Sequence, residues 1–155
     1  MTGKALLAFT FAHVVLSLAG IAAGFISILG FLMGRHFRFW SSIFLCATAA
    51  TCVTGFLFPF HGITPGIIVG IISLAVLAVA LLAQTNHNSA AYISAVCMAE
   101  ALNGLVLITQ LFAKVPCLHH YAPTGREPIA AACQLIVFLL LATLAWVGVV
   151  RAKPH

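Results

Sequence analysis

Only two acidic side chains occur in the 155-residue chain, and one of them, Glu100, lies inside an apolar run. At 100° per residue, Glu100, Asn103, Leu107, Gln110 and Lys114 fall within an arc of roughly 80°, so a helix through Ala91–Lys114 carries one polar stripe on an otherwise apolar surface. An ionisable group at membrane depth costs about 2.5–3.5 kcal/mol on insertion scales, so Glu100 must face protein or water and not lipid. A second polar set, Thr10, His13, Ser17, Gly20, Gly24 and Ser27, shares an arc of roughly 100° on the first apolar run. At 1.5 Å per residue, His13 and Asn103 both lie roughly 12–15 Å below the same surface. The pattern predicts that the polar face of the first helix meets the stripe of the fourth. A His13 imidazole bonded to Asn103 or Glu100 would satisfy groups that lipid leaves stranded.

This intramembrane polar cluster, His13, Glu100, Asn103 and Gln110, is compatible with several uses. It can serve as glue between helices, bind haem or a quinone, or pass ions or protons through Glu100. A haem needs axial ligands inside the bundle, and His13 is the one histidine clearly within a span. His61, His119 and His120 fall on one membrane side with Cys117, but their spacing matches no metal motif, and adjacent histidines cannot easily both face one ion. No metal site is therefore expected. Neither a Ser–His–Asp set, a phosphate-binding Walker loop nor a dinucleotide glycine signature is present, so no residue is assigned a catalytic role.

The elements that must position these residues follow from composition. The chain is 63% hydrophobic and 6% charged, with a mean hydropathy of +1.19, against about 25% charged residues in a soluble domain. Apolar runs at about 5–33, 40–59, 65–84, 89–113 and 128–150 each reach the roughly 20 residues that cross a hydrocarbon core. In lipid every backbone polar group needs an internal partner, so these runs must be helical. The expected fold is an all-α integral membrane bundle of five transmembrane helices with short loops, forming one domain over residues 1–155. Pro59 ends the second run, Pro65 and Pro128 sit in first helical turns, and Pro116, Pro123 and Pro154 lie between or beyond the runs. The net charge of +5 comes from basic residues near run ends, which suits interfacial anchoring and gives no stripe that could track nucleic acid. Five crossings place Lys4, Lys114 and Arg126 with the N-terminus, and Arg35, Arg38, Arg151 and Lys153 on the opposite side with His36, His87 and His155. An excess of one positive charge favours a cytoplasmic C-terminus. The five cysteines are odd in number and show no CxxC spacing, as expected of free, small hydrophobic side chains. Gly20-x-x-x-Gly24 and Gly66-x-x-x-Gly70 are expected to let helices approach closely within the chain.

Several segments resemble a group of small bacterial multi-pass membrane proteins of no assigned function. They include Thr54-Gly55-Phe56-Leu57-Phe58-Pro59, Gly70-Ile71-Ile72-Ser73-Leu74, Gln110-Leu111-Phe112-Ala113-Lys114-Val115-Pro116, and Ala122-Pro123-Thr124 followed by Glu127-Pro128. The resemblance implies the inner (cytoplasmic) membrane of a bacterium and carries over no substrate, cofactor or site residue. With little mass outside the bilayer and several small-residue faces, the chain reads as a small non-enzymatic membrane protein. Its expected partners are the lipid bilayer and other membrane subunits or copies of itself, as an accessory subunit of a complex or a homo-oligomer. A haem- or quinone-binding redox-linked module, and a small transporter or channel using Glu100, are the alternatives.

Overall fold

A computed structural model of the protein describes residues 3–58, 64–124 and 127–152. Pro59, His61, Arg126, Lys153, Pro154 and His155 lie outside the described residues. The elements are α1 (Gly3–Leu32), α2 (Arg38–Phe56), α3 (Pro65–Thr85), α4 (Ser89–Lys114), a short α5 (Pro116–His119) and α6 (Pro128–Ala152). All but α5 are long and apolar enough to cross a membrane, and among the described residues there is no strand. The protein is an all-α, multi-pass membrane bundle, as the hydropathy pattern requires.

The turns show why the chain reverses where it does. At the end of α1 the Gly34 backbone has φ +65, the left-handed conformation that favours glycine. There the Arg35 N–H donates to Gly30 O at 2.9 Å and the Gly34 N–H to Phe31 O at 3.0 Å, closing a Schellman motif. At the start of α3 the Thr64 hydroxyl accepts from the Ile67 N–H at 3.4 Å, with Pro65 in the first turn. Asn88 caps α4 by accepting from the Ala91 N–H at 3.0 Å. The connection from α4 to α6 is pinned at Ala122, which is fully buried against Phe112 and Ala130. Cys117, His119 and His120 in that connection are exposed.

Helix α4 is the central element. It packs against α1, α3 and α6, while α2 lies against α1 and α3. Its inward side runs through Tyr92, Ile93, Val96, Ala99, Glu100 and Phe112. By contrast α6 buries only Ala130, Leu141 and Gly148, and turns Leu135, Ile136, Leu139 and Trp146 outward. Without a hydrophobic drive between helices in lipid, close backbone approach must supply the contact energy. Glycines mark those approaches. A methyl group at Gly20 would stand 3.2 Å from Ala47 Cβ, one at Gly148 3.2 Å from Ile93 Cγ2, and one at Gly70 2.9 Å from the Phe56 ring. The two glycine pairs behave differently. Gly20 faces α2 and Gly24 faces both α2 and α4, whereas Gly66 is exposed and meets nothing nearer than Thr64 Oγ1 at 3.7 Å.

Gly20→Ile is expected to overpack the α1–α2 contact and lower stability by about 1–3 kcal/mol. Gly66→Ile should leave the unfolding temperature in detergent micelles unchanged, and an equal loss in both variants would contradict this assignment of faces.

Candidate functional site

Glu100 sits midway along α4 and is 1% exposed. Neither carboxylate oxygen has a hydrogen-bond partner. The position exists because α1 contributes a glycine opposite it. A methyl group at Gly24 would lie 2.8 Å from the Glu100 carboxyl carbon and 2.9 Å from Phe44 Cδ2, and still closer to Oε2. Real Cβ atoms do not approach so near, so the carboxyl group occupies the space a side chain would take. Phe44, fully buried on α2, closes a third side of the site. Cys97, 2% exposed, is the neighbour one turn back on α4.

Asn103 is the polar side chain beside the carboxyl group, and its amide reaches α2 as well. Asn103 Nδ2 donates to Thr48 Oγ1 on α2 at 3.1 Å. This bond ties α4 to α2 one turn from Glu100. Thr48 is itself 2% exposed.

His13 takes a partner other than the one its depth suggested. Its Nδ1 is 2.8 Å from Thr54 Oγ1 on α2, and it bonds neither Asn103 nor Glu100. The Thr54 hydroxyl also lies 2.8 Å from Ala50 O and 3.1 Å from Thr51 O. With its proton directed to those carbonyls, Thr54 accepts from the imidazole, so Nδ1 carries the hydrogen. The Phe58 ring stands edge-on at 5.2 Å from the imidazole. The physical reason is helix length. α1 has 30 residues and α2 has 19, so α1 is about 45 Å long against about 29 Å. The first turns of α1 therefore overhang the bundle, and His13 meets only the last turn of α2.

Gln110, at the edge of the α4 stripe, is exposed. The amide that joins helices near there is Gln134 of α6, whose Nε2 donates to Thr109 Oγ1 at 2.9 Å. Spacing within α4 carried no sign of Gln134, whose partner lies on another helix. On α2, Thr48, Thr51 and Gly55 share a small polar face by their spacing. Of the four cluster residues, then, only Glu100 and Asn103 are adjacent. His13 belongs to a separate contact nearer the N-terminal side, and Gln110 to neither.

A pattern larger than these pairs emerges from the buried polar atoms that lack partners. Among the described residues they are Ser41 Oγ, Thr51 Oγ1, Tyr92 Oη and the two Glu100 oxygens. Ser41, Phe44, Thr48 and Thr51 recur at spacings of three and four, so they share one face of α2. That face meets α1 and α4. The result is a polar seam through the bundle: His13 with Thr54, then Thr51, Thr48 with Asn103, Glu100, and beyond Phe44 the hydroxyls of Ser41 and Tyr92. Phe44 is the one large apolar side chain of α2 in it. No group of three or more His, Cys, Asp or Glu side chains among the described residues could hold a metal ion.

Because Glu100 makes no bond, its loss should not loosen the fold. Glu100→Gln is expected to unfold at about the same temperature as the parent, since it trades a buried carboxyl group without partners for an amide of the same shape. Asn103→Ala, which breaks the bond to Thr48, should cost about 0.6–1 kcal/mol. Thermal unfolding of both variants in micelles checks this, and a large loss for Glu100→Gln alone would make the carboxyl group structural glue. No family model, curated protein or solved structure matches this chain.

Proposed function

We propose that the protein moves protons across the membrane, with Glu100 as the group that takes up and releases each one. The observation that carries this is a fully buried carboxyl group with neither oxygen bonded, set between Gly24 and Phe44. An intramembrane acid that faces the bundle interior commonly marks an ion or proton route. Interhelical glue accounts for Asn103 and Thr48 but not for a carboxyl group that bonds nothing. The packing favours the smallest cargo. A bare metal cation needs several oxygens to replace its hydration shell, and the space around Glu100 is already filled by Phe44 and the α1 backbone.

The cycle balances simply. The Glu100 carboxylate accepts a proton from one aqueous side and becomes a carboxylic acid. It then gives that proton to the other side and is restored, with one positive charge moved per turnover. Thr51, Thr48 and Asn103 offer polar footing on the side of the N-terminus, and Ser41 and Tyr92 on the other. Phe44 separates Glu100 from the second pair and acts as the gate. Liposomes containing the purified chain, a trapped pH-sensitive dye and an imposed potassium diffusion potential test the proposal. Proton entry should fall to the rate of empty liposomes in Glu100→Gln and rise in Phe44→Ala. Undiminished entry in a folded Glu100→Gln protein removes the proposal.

The membrane in question is the inner membrane of a bacterium, with the end bearing Arg35, Arg38 and Arg151 in the cytoplasm, as the excess of positive charge there favours. A reporter fused after His155 should be active as a cytoplasmic fusion and silent as an exported one, and the opposite pattern reverses the topology.

A further inference from the structure

Three parts of the chain meet at the end of the bundle opposite the N-terminus: the α1–α2 turn, the α3–α4 turn and the last residues of α6. Between them is a cavity of about 310 Å³. Arg35, His36 and Arg38 line it from the first turn, and His87, Asn88 and Ser89 from the second. The start of α4, a 26-residue helix, therefore presents its partial positive charge to a space lined by two arginines. Tyr92 belongs to the wall. It is 4% exposed, its hydroxyl has no partner, and its ring lies 5.1 Å from the His36 imidazole.

Among the described residues no acidic side chain lies at this end to balance its positive charge. The only acidic residues are Glu100 and Glu127. Glu100 is in mid-bundle, and Glu127 precedes α6 at the opposite end. Arg35 instead stands over the Phe37 ring at 5.5 Å, and the Arg151 guanidinium donates to Leu32 O. His36 registers the surplus. Burial first, and then the neighbouring Arg38 charge, hold its imidazole pKa below the usual value.

We propose that this cavity binds a phosphate-bearing anion, held by Arg35, Arg38 and the first turn of α4. Arginine forks suit phosphate oxygens in pairs, and backbone N–H groups at a helix start suit the same charge. The volume lies at the lower end of the range of small-ligand sites. Phe39 and Trp40, exposed beside the cavity, are residues of the membrane–water interface. Two sources share this chemistry: the headgroup of an anionic phospholipid from the adjacent leaflet, and inorganic phosphate from solution. Neither Glu100 nor Phe44 lines the cavity, and Tyr92 is the residue it shares with the proposed proton route.

The test uses the full chain in an uncharged detergent, with thermal unfolding and native mass spectrometry as readouts. The ligands are phosphatidylglycerol, inorganic phosphate, and diacylglycerol as a lipid without phosphate. Phosphatidylglycerol or inorganic phosphate should bind and raise Tm, and whichever does so names the source. Arg35→Gln with Arg38→Gln should weaken that binding by about tenfold to a hundredfold, while Lys4→Gln at the other end leaves it unchanged. Equal binding by the double variant, or an equal response to diacylglycerol, overturns the proposal. Should the double variant fail to fold, the parent protein still decides. Occupancy by an anion must raise the His36 titration midpoint in nitrogen NMR, and an unmoved midpoint with both phosphate ligands in excess sinks the site.

Discussion

The absence of a side chain at Gly24 is the constraint on which the interior depends. At that point the α1 backbone touches both the Glu100 carboxyl group and the Phe44 ring. Any Cβ there would push α1 away from α2 and α4 together. The same approach brings Thr48 within reach of Asn103 and seals Phe44 completely. Glu100 contributes nothing in return by way of hydrogen bonds. Its burial must therefore be offset by close contacts elsewhere in the bundle, such as Gly20 with Ala47, Gly104 with Val137, and Gly148 with Ile93. Packing of this kind is what holds helices together when lipid removes the hydrophobic incentive.

How much of this could be read from the residue order differs by level. The spans were legible because lipid leaves the backbone a single choice, and Pro65, Pro128 and Gly34 mark ends by their own geometry. The depth of Glu100 and its need for a protein neighbour were legible for the same reason. Its neighbours were less so. Periodicity gives the face a residue occupies on its own helix, but not which helix stands opposite. His13 was placed by counting from the membrane surface, and that count assumes helices of equal reach. The overhang of α1 sends His13 to Thr54 instead. Gly66 and Gly70 share a face by angle, yet only Gly70 meets the Phe56 ring. Phe56 is the last residue of α2, and Gly66 lies a turn beyond it. The basic cavity was the least visible feature, since Arg35, His87 and Asn88 come from two turns that read singly as solvated loops.

The distribution of charge gives the bundle a direction. One acid lies at its centre, the other precedes α6 at the N-terminal side, and the far end holds Arg35, Arg38 and Arg151 with no acidic side chain among the described residues there. The polar seam is also unlike at its two ends. Towards the N-terminus, His13, Thr54, Thr48 and Asn103 are bonded in pairs that bridge helices. On the far side of Phe44, Ser41 and Tyr92 retain hydroxyls without partners. A seam serving only as glue would gain from completing those bonds, because each buried hydroxyl left unmade costs about 1–3 kcal/mol. The vacant valences instead follow one route, from Thr51 on the side of the N-terminus through Glu100 to Ser41 and Tyr92 beyond Phe44. Phe44 is the single apolar side chain at their junction. That arrangement gives a carboxyl group two unequal neighbours to exchange a proton with, and a ring whose position decides which of them it meets.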